Sequence, residues 1–175
     1  MQEDQTSIAK APRPGTAALY TPEQRARRDS TRWTLVQGIL APIQFLVFLI
    51  SVILVLRYLA TGEGAAAATL SIIIKTMLLY TIMITGSIWE KAVFGKWLFA
   101  AAFFWEDVFS MLVLALHTSY LVALIGGLGD ERTRMLIALA GYAAYVINAG
   151  QFIWKLRMAR LQGTPSQAGF TAVTA

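Results

Sequence analysis

The chain predicts an all-α integral membrane protein: a four-helix bundle with an N-terminal interfacial helix. Three observations carry this. Of its 175 residues 57% are hydrophobic and only 14% are charged, where a soluble domain of that size is about a quarter charged. Four apolar runs, roughly 35–59, 66–89, 98–125 and 134–156, each exceed the ~20 residues that a helix needs to cross hydrocarbon. None of them alternates with period two, which argues against a transmembrane barrel.

In chain order, residues 1–19 are rich in Ala, Pro, Gln and Thr and read as a disordered cytoplasmic tail; lacking an uninterrupted apolar stretch, they do not read as a signal peptide. Structure is expected to begin at Tyr20-Thr-Pro-Glu-Gln24. Thr21 can cap, Pro22 suits the first helical position, and Gln24 stands where a capping box wants Glu or Gln. The helix that follows carries Arg25, Arg27, Arg28 and Arg32, and serves as an interfacial anchor or a docking element. A single membrane domain then covers 20–160. Thr61-Gly-Glu-Gly64 and Gly126-Gly-Leu-Gly-Asp130 form outer turns, and the latter lacks the spacing of a phosphate-binding fingerprint. Residues 161–175 read as a mobile cytoplasmic tail.

The net charge of +5 is distributed unevenly. Lys91 and Lys96 lie between the second and third spans, and Lys155, Arg157 and Arg160 end the fourth. The other two loops hold only Arg57, Arg132 and Arg134, balanced by Glu63, Asp130 and Glu131. This asymmetry predicts a multi-pass protein with both termini and the middle loop cytoplasmic. Because the charges alternate with the spans, nucleic acid is not expected as a partner. With no cysteine and one histidine, thiolate chemistry, a bis-histidine haem and a carboxylate–histidine di-metal site within one chain are all excluded, and no metal site is expected.

Polar residues recur at heptad spacing, the near-repeat of one helix face. The first span carries Gln37, Gln44, Ser51 and Tyr58. The second carries Thr69, Thr76, Met83 and Glu90, with Lys75 beside them. The third carries Glu106, Ser110, Val113 and His117, with Asp107 offset by about 100°. The fourth carries Gly141, Tyr145, Asn148, Phe152 and Lys155, with Gln151 near the edge. By the helical rise, Gln44, Lys75 and Asn148 fall within about 5 Å of the span midpoints. Glu106, Asp107 and Gln151 fall about 5–8 Å toward the cytoplasm, and His117 about 10 Å the other way. Four helices supplying polar groups at similar depth predict a lined pocket rather than isolated packing contacts.

Each candidate also has a structural reading. Lys75 can pair with Glu106 or Asp107 as an ion pair, and Glu90 can pair with Lys91 at the interface. Asn148 and Gln151 can serve as interhelical hydrogen bonders, His117 as a core histidine, and Phe103, Phe104, Trp105 and Phe109 as packing. Two successive carboxylates at membrane depth are the exception, since each costs about 2.5 kcal/mol or more to insert. With different surroundings, one carboxyl can act as an acid and the other as a base. That pair suits addition of water across an activated double bond. It equally suits a small proton-coupled transporter.

The residues also carry a resemblance. Leu19-Tyr-Thr-Pro-Glu-Gln-Arg-Ala-Arg-Arg28, Gln37-Gly-Ile-Leu-Ala-Pro-Ile-Gln-Phe45 and Trp89-Glu-Lys-Ala-Val-Phe-Gly95 resemble the 3-vinyl (bacterio)chlorophyllide hydratase family of bacteriochlorophyll biosynthesis. So do Phe103-Phe-Trp-Glu-Asp-Val-Phe-Ser110, Ala115-Leu-His-Thr-Ser-Tyr120, Tyr145-Val-Ile-Asn148 and Gln151-Phe-Ile-Trp-Lys-Leu-Arg157, so that residues 19–161 are covered. The resemblance implies a hydro-lyase that converts the 3-vinyl group to 3-(1-hydroxyethyl), which a later dehydrogenase oxidises to 3-acetyl. It implies no cofactor, magnesium entering only as part of the chlorin. The implied partners are a tetrapyrrole, membrane lipid and neighbouring pathway enzymes, in a bacterial inner (intracytoplasmic) membrane.

Under that resemblance Glu106 is expected as proton donor and Asp107 as the water-orienting base, with the roles exchangeable, and Glu90 as a second acid. Gln44, Lys75, Trp105, His117, Asn148 and Gln151 are expected to bind substrate: Trp105 by stacking, His117 as an axial ligand of the chlorin magnesium. Lys75, Arg57 and Arg32 are equal candidates for the propionate. A non-catalytic pigment carrier or assembly protein is a further alternative; it would bind the chlorin and release it unchanged.

Overall fold

A computed structural model describes residues 19–162, with side chains through residue 158. Five helices follow in order: α1 (Pro22–Ser30), α2 (Arg32–Thr61), α3 (Ala65–Phe94), α4 (Phe104–Ile125) and α5 (Glu131–Gln162). The expected tails at 1–18 and 163–175 lie outside the described residues. The capping box forms as the sequence predicts: the Gln24 N–H donates to Thr21 Oγ1 at 3.2 Å, and the Thr21 N–H to Gln24 Oε1 at 2.9 Å. Thr31 then caps α2 through the Trp33 N–H, so α1 is set off from the first span by one extended residue.

Helices α2 to α5 are each long and apolar enough to cross a membrane, and the protein is a multi-pass helical membrane protein. They pair as two antiparallel hairpins, α2 with α3 and α4 with α5, intimately packed within each hairpin and touching far less between hairpins. Where the hairpins meet, Ser51 Oγ hydrogen-bonds both Tyr142 OH (2.5 Å) and Ser71 Oγ (2.7 Å). Around them Phe48, Val55, Ile72, Tyr120, Met135 and Tyr142 form the main core. The outer faces carry exposed aliphatic residues such as Leu46, Ile50, Ile53, Val146 and Ile153, the composition expected of lipid-facing helix surface. The heptad stripes of α2 and α4 face inward: Gln44, Ser51, Glu106, Ser110, Val113 and His117 are all buried.

One boundary differs from the sequence expectation. The third span starts at Phe104 rather than at 98, and residues 95–103 make an irregular connection. Hydropathy does not register the break, because Trp97 to Trp105 is uninterruptedly apolar. Gly95, at φ 79°, ends α3, and Phe99 takes φ 58°, a left-handed conformation uncommon for a side-chain-bearing residue. Glu106 and Asp107 therefore stand in the first turn of α4, about 11–13 Å from its midpoint. They lie nearer the basic end of the bundle than the sequence reading placed them.

Candidate active site

The last turns of α3, the first turn of α4 and the last turns of α5 converge at the end of the bundle that carries Arg32, Lys91, Lys96 and Arg157. Three carboxyl groups are buried there: Glu90, Glu106 and Asp107. Lys155 Nζ donates to Glu106 Oε2 at 2.6 Å, and the same ammonium lies 5.0 Å from the centre of the Phe103 ring. Lys155, not Lys75, is thus the cation of the pair, and Lys75 is not brought to Glu106 or Asp107. Glu90 does not pair with Lys91 either. Glu90 Oε1 accepts the Ala100 N–H at 2.5 Å, while Lys91 Nζ donates to the Gly95 carbonyl.

The irregular segment explains this use of carboxyl groups. A non-helical backbone at membrane depth must find partners within the protein. Here Phe99 N–H donates to Asp107 Oδ2 at 2.8 Å, beside the Ala100 bond to Glu90. Glu90 and Asp107 thus accept from successive backbone N–H groups, which sets the two buried carboxyl groups beside each other. The site therefore contains one carboxyl group held by a lysine and two held by backbone N–H groups. An aromatic cluster of Tyr20, Trp89, Phe94, Phe103 and Phe152 closes over this end. Tyr20 precedes α1 and carries Arg28 over its ring; burial raises its phenolic pKa.

From the carboxyl groups a polar seam runs inward between the hairpins. Ser110, one turn beyond Glu106, accepts a 2.8 Å hydrogen bond from Asn148 Nδ2. The Ser51–Tyr142 bond sets the register, and about one heptad toward the basic end on each helix lie Gln44 and Asn148. Gln44 Nε2 and Oε1, Asn148 Oδ1, Gln151 Oε1, Lys75 Nζ and His117 Nε2 are buried and have no hydrogen-bond partner among the described residues. Buried polar groups are nearly always paired, so six such atoms from four helices make this seam the candidate place for a polar guest.

Two expected ligand residues stand apart from the carboxyl groups. Trp105 is 65% exposed on the outer face, against Phe104, because its position turns it away from the Glu106 stripe. His117 is buried about three turns along α4 from Glu106, where its Nδ1–H donates to the Val113 carbonyl at 2.8 Å and leaves Nε2 bare. Gly141 faces the ring: a Cβ there would stand 3.0 Å from Nδ1 and Cε1, tighter than an ordinary contact. Lys155 and Ser110, on the predicted stripes, join the site beyond the residues expected from sequence; their i+4 spacing from Gln151 and Glu106 is the signal that points to them. Tyr20 gave no such signal.

Fold and site together define a four-span helical membrane protein with a carboxyl–lysine centre at its basic end. Residues 20–158 match the family model described as 2-vinyl bacteriochlorophyllide hydratase (BCHF). Two relatives bear the name 2-vinyl bacteriochlorophyllide hydratase. The one from Rhodobacter capsulatus is 67% identical over 156 residues, covering 89% of this chain and 91% of the relative. The one from Cereibacter sphaeroides is 73% identical over 149 residues, covering 85% and 92%. The chain belongs to the 2-vinyl bacteriochlorophyllide hydratase family. No solved structure matches it.

Proposed function

We propose that this protein is a hydro-lyase that adds water to the vinyl group of a bacteriochlorophyllide, a macrocycle with a free propionic acid, giving a 1-hydroxyethyl substituent. The vinyl position is numbered 2 or 3 according to the scheme used for the ring. The observation that carries the reading is the division of labour among the carboxyl groups: Glu106 is ion-paired at 2.6 Å with Lys155, while Glu90 and Asp107 are buried, accept from successive backbone N–H groups and have no ion pair among the described residues, which suits one of them to carry a proton. The protonated member of that pair gives its proton to the terminal vinyl carbon, and the π electrons form the new C–H bond. Positive charge on the inner carbon is delocalised into the macrocycle. Water then attacks that carbon as the Glu106 carboxylate, paired with Lys155, takes its proton, which returns to the carboxyl pair. One water is consumed, no electrons are exchanged, and the scheme calls for no resident cofactor. It exchanges the roles that the sequence suggested for Glu106 and Asp107.

Gln44, Asn148 and Gln151 offer hydrogen bonds to the polar edge of the macrocycle. The basic end faces the cytoplasm of a bacterial inner membrane, as the excess of Lys and Arg there favours. The full chain in lipid, supplied with vinyl bacteriochlorophyllide, is expected to blue-shift its red absorption band and add the mass of one water. Asp107→Asn and Glu106→Gln are each expected to lower kcat by about 10²–10⁴. Unchanged rates in both would refute the assignment.

A further inference from the structure

We propose that Lys75 binds the free propionate carboxylate of the substrate, so that the interior of the bundle selects the acid over its esters. The inference rests on the hydratase reading and extends it to a second contact point. Lys75 has no exposed surface, and its Nζ has no acceptor among the described residues. Nor does an acidic side chain among the described residues reach it. Glu106 is taken by Lys155, Glu90 and Asp107 hold the 95–103 segment, and Glu131 accepts from Tyr58 OH at the far end. The remaining acidic residues among those described lie on α1 or in the outer turns. The Tyr145 ring, 3.8 Å from Nζ, offsets only part of the desolvation by a cation–π contact.

A buried ammonium in this position calls for an anion. His117 Nε2, also buried and without a partner, makes no hydrogen bond to Lys75, so the ammonium keeps its three protons for a carboxylate. Distance is compatible with one ligand touching both ends of the seam. Tyr145 under Lys75 and Lys155 beside Glu106 are ten residues apart on α5, about 15 Å. That is on the scale of a tetrapyrrole measured from a vinyl on one ring to an acid side chain on another. Arg57 and Arg32, the competing candidates, are exposed at the bundle ends.

The test compares vinyl bacteriochlorophyllide with its propionate methyl ester, by tryptophan quenching for binding and by absorbance for turnover. The full chain is expected to bind the acid about tenfold or more tightly than the ester. Lys75→Met is expected to erase that preference and raise KM for the acid, Lys75→Arg to restore part of it. Lys75→Met is also expected to melt higher than the parent without pigment, since it removes a buried cation; a merely structural lysine would lower the melting point. Equal binding of acid and ester by the parent, or a preference that survives Lys75→Met, overturns the proposal whatever the turnover. Acid-selective binding lost in Lys75→Met, with neither pigment hydrated, keeps the Lys75 assignment and refutes the hydratase reading.

Discussion

Removing the Lys155 ammonium would leave the Glu106 carboxylate buried without its cation, the costly half of breaking an ion pair. The Lys155 side chain is still 26% exposed, so the expected loss is about 1–3 kcal/mol, below the fully buried range. Lys155→Met is expected to show this loss in denaturation in mild detergent, together with a fall in kcat. Lys155→Arg should recover both. Adding Glu106→Gln to Lys155→Met should regain stability but not activity, because it removes the stranded charge and the base together. A Lys155→Met protein as stable and as active as the parent would show the pair to be incidental. At this scale the sequence was legible for facing and illegible for pairing. The heptad stripe placed Glu106, Asn148 and Lys155 on inward faces, yet which cation met Glu106 depended on the register of α4 against α5, which periodicity does not contain.

At the scale of elements, the connection between α3 and α4 holds the most information that hydropathy missed. Its polar backbone is satisfied by Glu90 and Asp107, and it bends through Phe99 at φ 58°. A left-handed conformation costs a side-chain-bearing residue about 1–2 kcal/mol, from which glycine is exempt. Phe99→Gly and Phe99→Ala lose nearly the same aromatic contacts with Phe104. The glycine variant is therefore expected to be the more stable of the two by about 1 kcal/mol. An alanine variant equal to or above it in thermal unfolding would mean that the bend is not strained. The α1 cap, the outer turns and three of the four spans were legible, because Thr21, Pro22, the glycines and charge punctuate them. The start of α4 was not, because aromatic residues continue on both sides of Phe104.

At the scale of the whole molecule, the two-hairpin arrangement gives a topology that can be read chemically, since the chain has no cysteine of its own. Single cysteines replacing Glu63, Lys96 and Arg132, all exposed, report on the two ends. In intact cells a membrane-impermeant thiol reagent is expected to label positions 63 and 132 and to spare 96. The reverse pattern would invert the orientation, and labelling at all three in sealed cells would refute the four-span topology. The same arrangement bears on how the protein is made. The α2/α3 hairpin leaves the ribosome first, yet alone in a bilayer it would turn Lys75 toward lipid, at about 2.5–3.5 kcal/mol on insertion scales. The partner ring of Tyr145 arrives only with α5, near the end of synthesis. Assembly thus gains a late driving force that is absent from either half, and a chain interrupted before α5 remains an unfinished membrane insertion, recognisable to quality control by its unsheltered lysine.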